Sequence, residues 1–159
     1  MSEPDAQPRI FLVVVDETEE MRVALHFAAR RAAHTGGRVA LLYVIEPSDL
    51  KEWMAVATLV REERREEAEQ LIAKLSADVQ EISGALPVVY IREGRRSDEL
   101  LGLLDEEPGI SILVLAAGTG AEGPGPLITT LIGKMSGRMR VPITIVPGIL
   151  TDAEIAALA

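Results

Sequence analysis

The run Ile112-Leu113-Val114-Leu115-Ala116-Ala117, followed at once by Gly118-Thr119-Gly120-Ala121-Glu122-Gly123-Pro124-Gly125-Pro126, constrains the fold more than any other feature of the chain. A short apolar run without polar alternation fits a strand buried on both faces, as in a parallel sheet. Glycines just past the carboxyl end of such a strand let a ligand come close to the backbone. Ile10 to Val15, ended by Asp16, has the same shape. Two buried strands with polar or glycine-rich exits point to a ligand crevice at one end of a sheet.

Between and around these runs, strand-like and helix-like segments alternate. The first strand spans 9–15, and a helix is expected from Asp16 to about Thr35, with Met21, Ala24, Leu25, Ala28 and Ala32 on one face. Gly36-Gly37 ends it. Val39 to Ile45 is the second strand. Ser48-Asp49 can cap a long second helix that carries Leu50, Trp53, Met54, Ala57 and Val60, then Ala68, Leu71, Ile72 and Leu75, at helical spacing. The pattern leaves open whether this helix breaks near 60–63. Leu86 to Arg92 is the third strand, and Ser97 is placed to cap a third helix running to about Glu107, with Leu100, Leu101, Leu103 and Leu104 inward. After the fourth strand, 110–117, a helix from about Leu127 to Met139 leads to a fifth strand, Val141 to Val146. Thr151-Asp152-Ala153-Glu154 matches a capping box and marks a short terminal helix.

The order βαβαβαβαβ defines the expected fold: one doubly wound α/β domain of three layers around a five-stranded parallel sheet. The domain is expected over 9–148, with a flexible tail at 1–8 and a short helical tail at 149–159. A length of 159 residues with 48% hydrophobic content supports one domain with an adequate core. The chain has no cysteine, so disulfides, thiolate metal sites and cysteine nucleophiles are excluded. No apolar run approaches the roughly 18 residues needed to cross a bilayer. Met1 to Arg9 lacks the apolar core of a secretory signal. Together these features lead to an expected cytoplasmic location and no membrane partner. A net charge of −9 weighs against nucleic acid, and Phe11, Phe27, Tyr43, Trp53 and Tyr90 are too few for a base-stacking platform.

In an open doubly wound sheet a ligand sits beyond the carboxyl ends of the strands, where the strand order reverses. If that order is 3-2-1-4-5, an assumption at this point, the reversal lies between strands one and four. The exits there are Asp16 and the loop 118–126. Asp16 can accept hydrogen bonds from a base or ribose, or it can cap the first helix with Glu19 completing a box; the two roles are compatible. Gly118 to Gly123 is formally GxGxxG, but it follows the fourth strand, has no acidic residue about 20 positions on, and is followed by prolines, so it is a weak dinucleotide fingerprint. Thr129 and Thr130 fall near the start of the next helix, where free N–H groups and two hydroxyls can hold a phosphate, and Glu122 would oppose it unless turned away. Arg92, Arg95 and Arg96 at the exit of strand three can reach an anion, a role any surface arginine can also decline. His26 and His34, eight apart, read as solvated. No serine elbow and no nucleophile–base pair is present, so no catalytic residue and no metal ligand is assigned.

Three segments resemble the universal stress protein family: Val13-Val14-Val15-Asp16-Glu17-Thr18-Glu19, Leu41-Leu42-Tyr43-Val44-Ile45-Glu46-Pro47, and the stretch from strand four to Val141-Pro142-Ile143-Thr144-Ile145-Val146-Pro147. The likeness covers roughly 9–148. It implies a sheet of order 3-2-1-4-5 and a homodimer formed through the last strand. It also implies, for some members, ATP bound through G-x2-G-x9-G-(S/T) after strand four. Two alignments of that motif are possible. One uses Gly120, Gly123 and Gly133, followed by Lys134. The other needs no gap and places Ala116, Thr119 and Thr129 at the glycine positions and Thr130 at the hydroxyl position; it is preferred because it spares a helical turn. Under it most of the glycine pattern is lost, while Gly118 and Gly120 remain nearby to shape the loop. On the adenine side Asp16 matches the family's aspartate and Val44 the strand-two residue whose backbone meets the base.

The resemblance leads to an expected adenine-nucleotide sensor or binder, taking ATP or AMP, with magnesium if a triphosphate, through Asp16, Val44, Ala116, Gly118, Gly120, Thr129 and Thr130. Weak ATP hydrolysis is the most enzymatic activity expected. The alternative is an interaction protein of the same fold that binds no nucleotide. An enzyme of a related fold is a third class, but the exit Ile91-Arg92-Glu93-Gly94 lacks the acceptor aspartate that a receiver domain needs there.

Overall fold

The computed structural model describes residues 7–47 and 54–159. The expected Ser48-Asp49 cap, and the positions Leu50 and Trp53, lie outside the described residues, as does nearly all of the 1–8 tail. The strands are β1 (Ile10–Val15), β2 (Arg38–Ile45), β3 (Val88–Glu93), β4 (Ile110–Ala117) and β5 (Ile143–Pro147). The helices are α1 (Met21–Thr35), α2 (Met54–Ser83), α3 (Arg96–Glu106), α4 (Pro126–Ile132) and α5 (Asp152–Leu158). All strand pairs are parallel and the order is β3-β2-β1-β4-β5, as the resemblance implies.

The central strand shows why the apolar runs have no alternation. Phe11, Val13 and Val15 pack on one face with α1 and α2, while Leu12 and Val14 pack on the other with α3 and α4. Both faces of β1 are covered, so every residue from Phe11 to Val15 is buried. In α3 the four leucines 100, 101, 103 and 104 are all buried against the second face. β1 and β4 meet with a register shift between Ile10 and Phe11, and the hydroxyl of Ser111 accepts the Ile10 N–H at 3.2 Å. One extra residue in β4 is thus accommodated without an orphaned amide.

Several element boundaries differ from the sequence expectation. α1 begins at Met21, five residues after Asp16, so Asp16 and Glu19 form no capping box. Instead an Asp16 Oδ1 accepts both the Thr18 N–H, at 2.9 Å, and the Thr18 hydroxyl. This local turn satisfies the carboxylate two residues on, which competes with capping. Ser97 lies inside α3 rather than at its cap position, which Arg95 occupies; the Arg96 N–H is accepted by Glu46 Oε1 at 3.3 Å. α2 runs unbroken through 60–63. α4 stops at Ile132, with Gly133 at its end, and a single 3-10 turn at Ser136–Arg138 replaces the rest of the expected helix to Met139. The helix-ending Gly36 takes the left-handed conformation, φ 68°. Thr151 and Glu154 form both halves of the expected capping box.

The histidines are not simply solvated. His26 Nδ1 lies 3.3 Å from Asp152 Oδ1, and His34 Nδ1 lies 2.8 Å from the Ala159 carbonyl oxygen. Both fasten α5 across α1, together with buried Ile155.

Leu103 is 1% exposed in the leucine layer between α3 and the sheet. Leu103→Ala is expected to lower unfolding stability by about 2–5 kcal/mol, read as a reduced urea midpoint with little change in slope.

Candidate functional site

The carboxyl ends of the strands open onto one continuous edge of the sheet, divided into three clefts. The narrowest, about 110 Å³, lies at the β1/β4 reversal and is lined by Asp16, Glu20, Ala116, Pro124, Gly125 and Arg96 among others. On the β2 side a cleft of about 530 Å³ is lined by Asp16, Tyr43, Val44, Glu46, Arg64 and Arg96. On the α3/α4 side a third, about 720 Å³, is lined by Glu46, Arg95, Arg96, Thr130, Lys134 and Met135. Arg96 borders all three.

The loop after β4 folds back on itself. The Gly118 N–H donates to the Pro124 carbonyl at 3.0 Å, and the Gly123 N–H donates to the Gly120 carbonyl at 3.3 Å. Gly123 and Gly125 have φ of 87° and 115°, which side chains rarely adopt, so both glycines are needed for this shape. At the β1/β4 gap the loop presents Pro124-Gly125-Pro126 to Asp16 and narrows the space well below the roughly 300–1,000 Å³ of small-molecule pockets. The wider spaces flank that gap on both sides.

Each expected site residue can be placed against these clefts. Asp16 borders the narrow gap and the β2-side cleft, and Val44 the latter. Ala116 borders the gap alone. Gly118 and Gly120 sit in the folded-back loop, with the Gly118 amide and the Gly120 carbonyl engaged within it. Thr129 turns its hydroxyl back to the Gly125 carbonyl at 2.9 Å and is exposed. Thr130 borders the α3/α4-side cleft, so the two adjacent hydroxyls part company. Pro126 opens α4 and offers no N–H there. Glu122 is exposed and borders none of these clefts. Because α4 already ends at Ile132, sparing a helical turn no longer favours the ungapped motif alignment. Lys134 of the gapped alignment and Thr130 of the ungapped one border the same cleft.

Residue-by-residue reading gave Tyr43, Glu46 and Arg64 no part in a site. Tyr43 and Arg64 line the β2-side cleft, and the Arg64 guanidinium donates to the Glu46 carbonyl at 2.9 Å. The Tyr43 phenol is held above its ordinary value by burial, with Glu17 adding to the shift and Arg96 opposing it. It therefore stays protonated at neutral pH and is available as a donor to whatever enters. A signal for Tyr43 and Glu46 existed in principle: they lie at or just past the carboxyl end of β2, on the side where ligands bind. Arg64, on a helix, had no such mark.

With the geometry in view, the class is clear: a doubly wound α/β domain whose cleft lies at the topological switch point. The universal stress protein family model matches residues 8–147, and the chain belongs to that family. Among solved structures it is similar to the universal stress protein UspA from Lactobacillus plantarum, with 17% identity, 89% of this chain and 99% of that chain covered, and a TM-score of 0.73. It is also similar to a universal stress protein family member from Burkholderia pseudomallei, with 20% identity, coverage of 91% and 99%, and a TM-score of 0.67. A third is the universal stress protein from Archaeoglobus fulgidus in complex with dAMP, with 17% identity, coverage of 89% and 98%, and a TM-score of 0.58. No protein of curated function matches the chain significantly.

The Tyr43 environment can be measured directly. In a Tyr90→Phe background its absorbance titration should have a midpoint above 10, the ordinary tyrosine value, and Glu17→Gln should move that midpoint down by removing a nearby negative charge. The linked stability is full below the unfolded phenol's pKa and is lost as pH rises through the folded one.

Proposed function

We propose that this protein binds an adenine nucleotide along the strand-end edge and acts as a sensor or binder rather than an efficient enzyme. The observation that carries the reading is the convergence of Asp16, Tyr43 and Val44 on a 530 Å³ cleft that adjoins, through Arg96, a larger cleft bearing Arg95, Thr130 and Lys134. The first has a carboxylate for amino or ribose hydroxyl donors, and the second has cations for phosphate. The dAMP complex of the Archaeoglobus fulgidus relative supports the choice of ligand class. In this reading Asp16 and the Val44 backbone meet the base side, while Thr130 lies toward the phosphates. Ala116 forms the floor between them, and Gly118, Gly120 and Thr129 act by setting the loop's shape. Among the described residues no three His, Asp or Glu side chains gather to hold a metal. Magnesium accompanying ATP would then rest mainly on phosphate oxygens and water, with at most one or two carboxylates.

Calorimetry with AMP, ADP and ATP, with and without magnesium, tests this. Binding is expected at or below millimolar concentration, and Asp16→Ala should weaken it about ten-fold, equivalent to about 1.4 kcal/mol. An absence of heat at millimolar nucleotide would defeat it.

The folded-back loop and the narrow gap at Pro124–Pro126 favour a second reading, an interaction protein of the same fold that takes no nucleotide. Nucleotide released from the purified protein on denaturation would count against that reading.

A homodimer through β5 belongs to both readings. β5 is an edge strand, and Ile145 and Ile149 are 42% and 74% exposed beside it; apolar edges pair with other chains unless protected. Sedimentation at micromolar concentration should give a dimer, and Ile145→Lys should shift it toward monomer. A cytoplasmic location is proposed on the absence of cysteine; no helix of the described residues is long and apolar enough to cross a membrane.

A further inference from the structure

The strand-end edge is electrostatically polarised. The β2-side cleft gathers Asp16, Glu17, Glu46 and Glu67 against Arg64 and Arg96. The α3/α4-side cleft gathers Arg95, Arg96 and Lys134 against Glu46 and Asp98. The narrow gap between β1 and β4 holds the carboxylates of Asp16 and Glu20 beside one cation, Arg96. A phosphate chain is therefore repelled from the β2 end and the gap, and is drawn to the α3/α4 end.

The cations there are unspent. Neighbouring arginines have partners: Arg92 pairs with Glu106 at 2.9 Å, Arg64 donates to the Glu46 carbonyl, and Arg140 pairs with Asp105 at 2.9 Å. Among the described residues the side chains of Arg95, Arg96 and Lys134 have neither an ion pair nor a hydrogen bond. The Arg96 Nε is buried and has no hydrogen-bonding partner. Buried side-chain donors in native proteins are nearly always satisfied, so this one calls for an acceptor, water or ligand, that the chain itself does not supply. Glu46 does not fill the role at Nε; its carboxylate takes the Arg96 backbone N–H at the start of α3.

The loop after β4 spends part of its donor capacity on itself. Its Gly118 and Gly123 amides are engaged within the loop, and Pro126 offers no donor at the start of α4. Beside it stands the guanidinium of Arg96, whose planar donors suit phosphate oxygens.

We propose that the cleft between the start of α3 and α4 is a phosphate-chain site centred on Arg96, with Arg95, Lys134 and the Thr130 hydroxyl as further donors, so that side-chain cations carry the phosphate charge in this protein. Where the ligand is a nucleotide this deepens the function proposed above and rests on it. The site itself would also take free polyphosphate.

Calorimetry at low salt with adenosine, AMP, ATP and tripolyphosphate separates the possibilities, using the full chain and two variants, Arg96→Gln and the double variant Arg95→Gln/Lys134→Gln, each checked by thermal melting. ATP is expected to bind at least ten-fold tighter than adenosine. Arg96→Gln should abolish that difference, and the double variant should reduce it several-fold. High salt should weaken ATP but not adenosine. Equal affinities for ATP and adenosine, or an ATP advantage that survives both variants, would overturn the Arg96 site and leave base-side nucleotide binding standing. Tripolyphosphate binding that Arg96→Gln removes, with no binding of adenosine or ATP, would uphold the anion site and overturn the nucleotide reading. Silence from all four ligands would overturn both.

Discussion

The pairing of β1 with β4 is the constraint on which the rest of the molecule depends. β1 is bounded by β2 on one edge and β4 on the other, so the chain's two halves leave it in opposite directions across the sheet. At that divergence the connections after β1 and after β4 lead to opposite faces, α1 to one and α4 to the other. A crevice follows from topology before any side chain is considered. The side chains then decide what it can hold: Asp16 ends β1, the glycine–proline loop ends β4, and Arg96 enters from the turn after β3.

This division of labour explains why one strand-end edge contains three spaces rather than one. The loop from Gly118 to Pro126 closes the middle by bonding to itself, and the larger spaces lie where β2 and α3 diverge from it. Carboxylates collect on one side and unpaired cations on the other. A ligand with an uncharged hydrogen-bonding head and an anionic tail matches that polarity.

Local chemistry was readable from the sequence wherever a feature depends on neighbours within a few positions. The apolar strands, the four inward leucines of α3, the glycine at the end of α1 and the Thr151 capping box all belong to that class. Asp16 was identified, but its local role was not: capping and a turn onto Thr18 draw on the same oxygens, and the turn prevails. The expected helix to Met139 runs through Gly133, a motif position in one alignment, whereas in the structure that glycine ends α4. Partners far apart in the chain were invisible. His26 meets Asp152, and Arg96 comes to border the Asp16 gap, only because the sheet order brings those segments together. The weight carried by Arg96 is a property of three adjoining clefts, and no spacing rule announces it.

The placement of β1 also shapes how the chain is made. Ile10 lies opposite Arg38 on one side and Ile110 on the other. During synthesis, β2 becomes available early, whereas β4 emerges only after two further crossovers. Until then the most apolar strand of the protein has one edge without a partner, and closing the long interval costs entropy before it returns contacts. A nascent chain halted in α3 therefore carries its future centre as an adhesive border. The vulnerable interval of biogenesis ends with the arrival of the fourth strand.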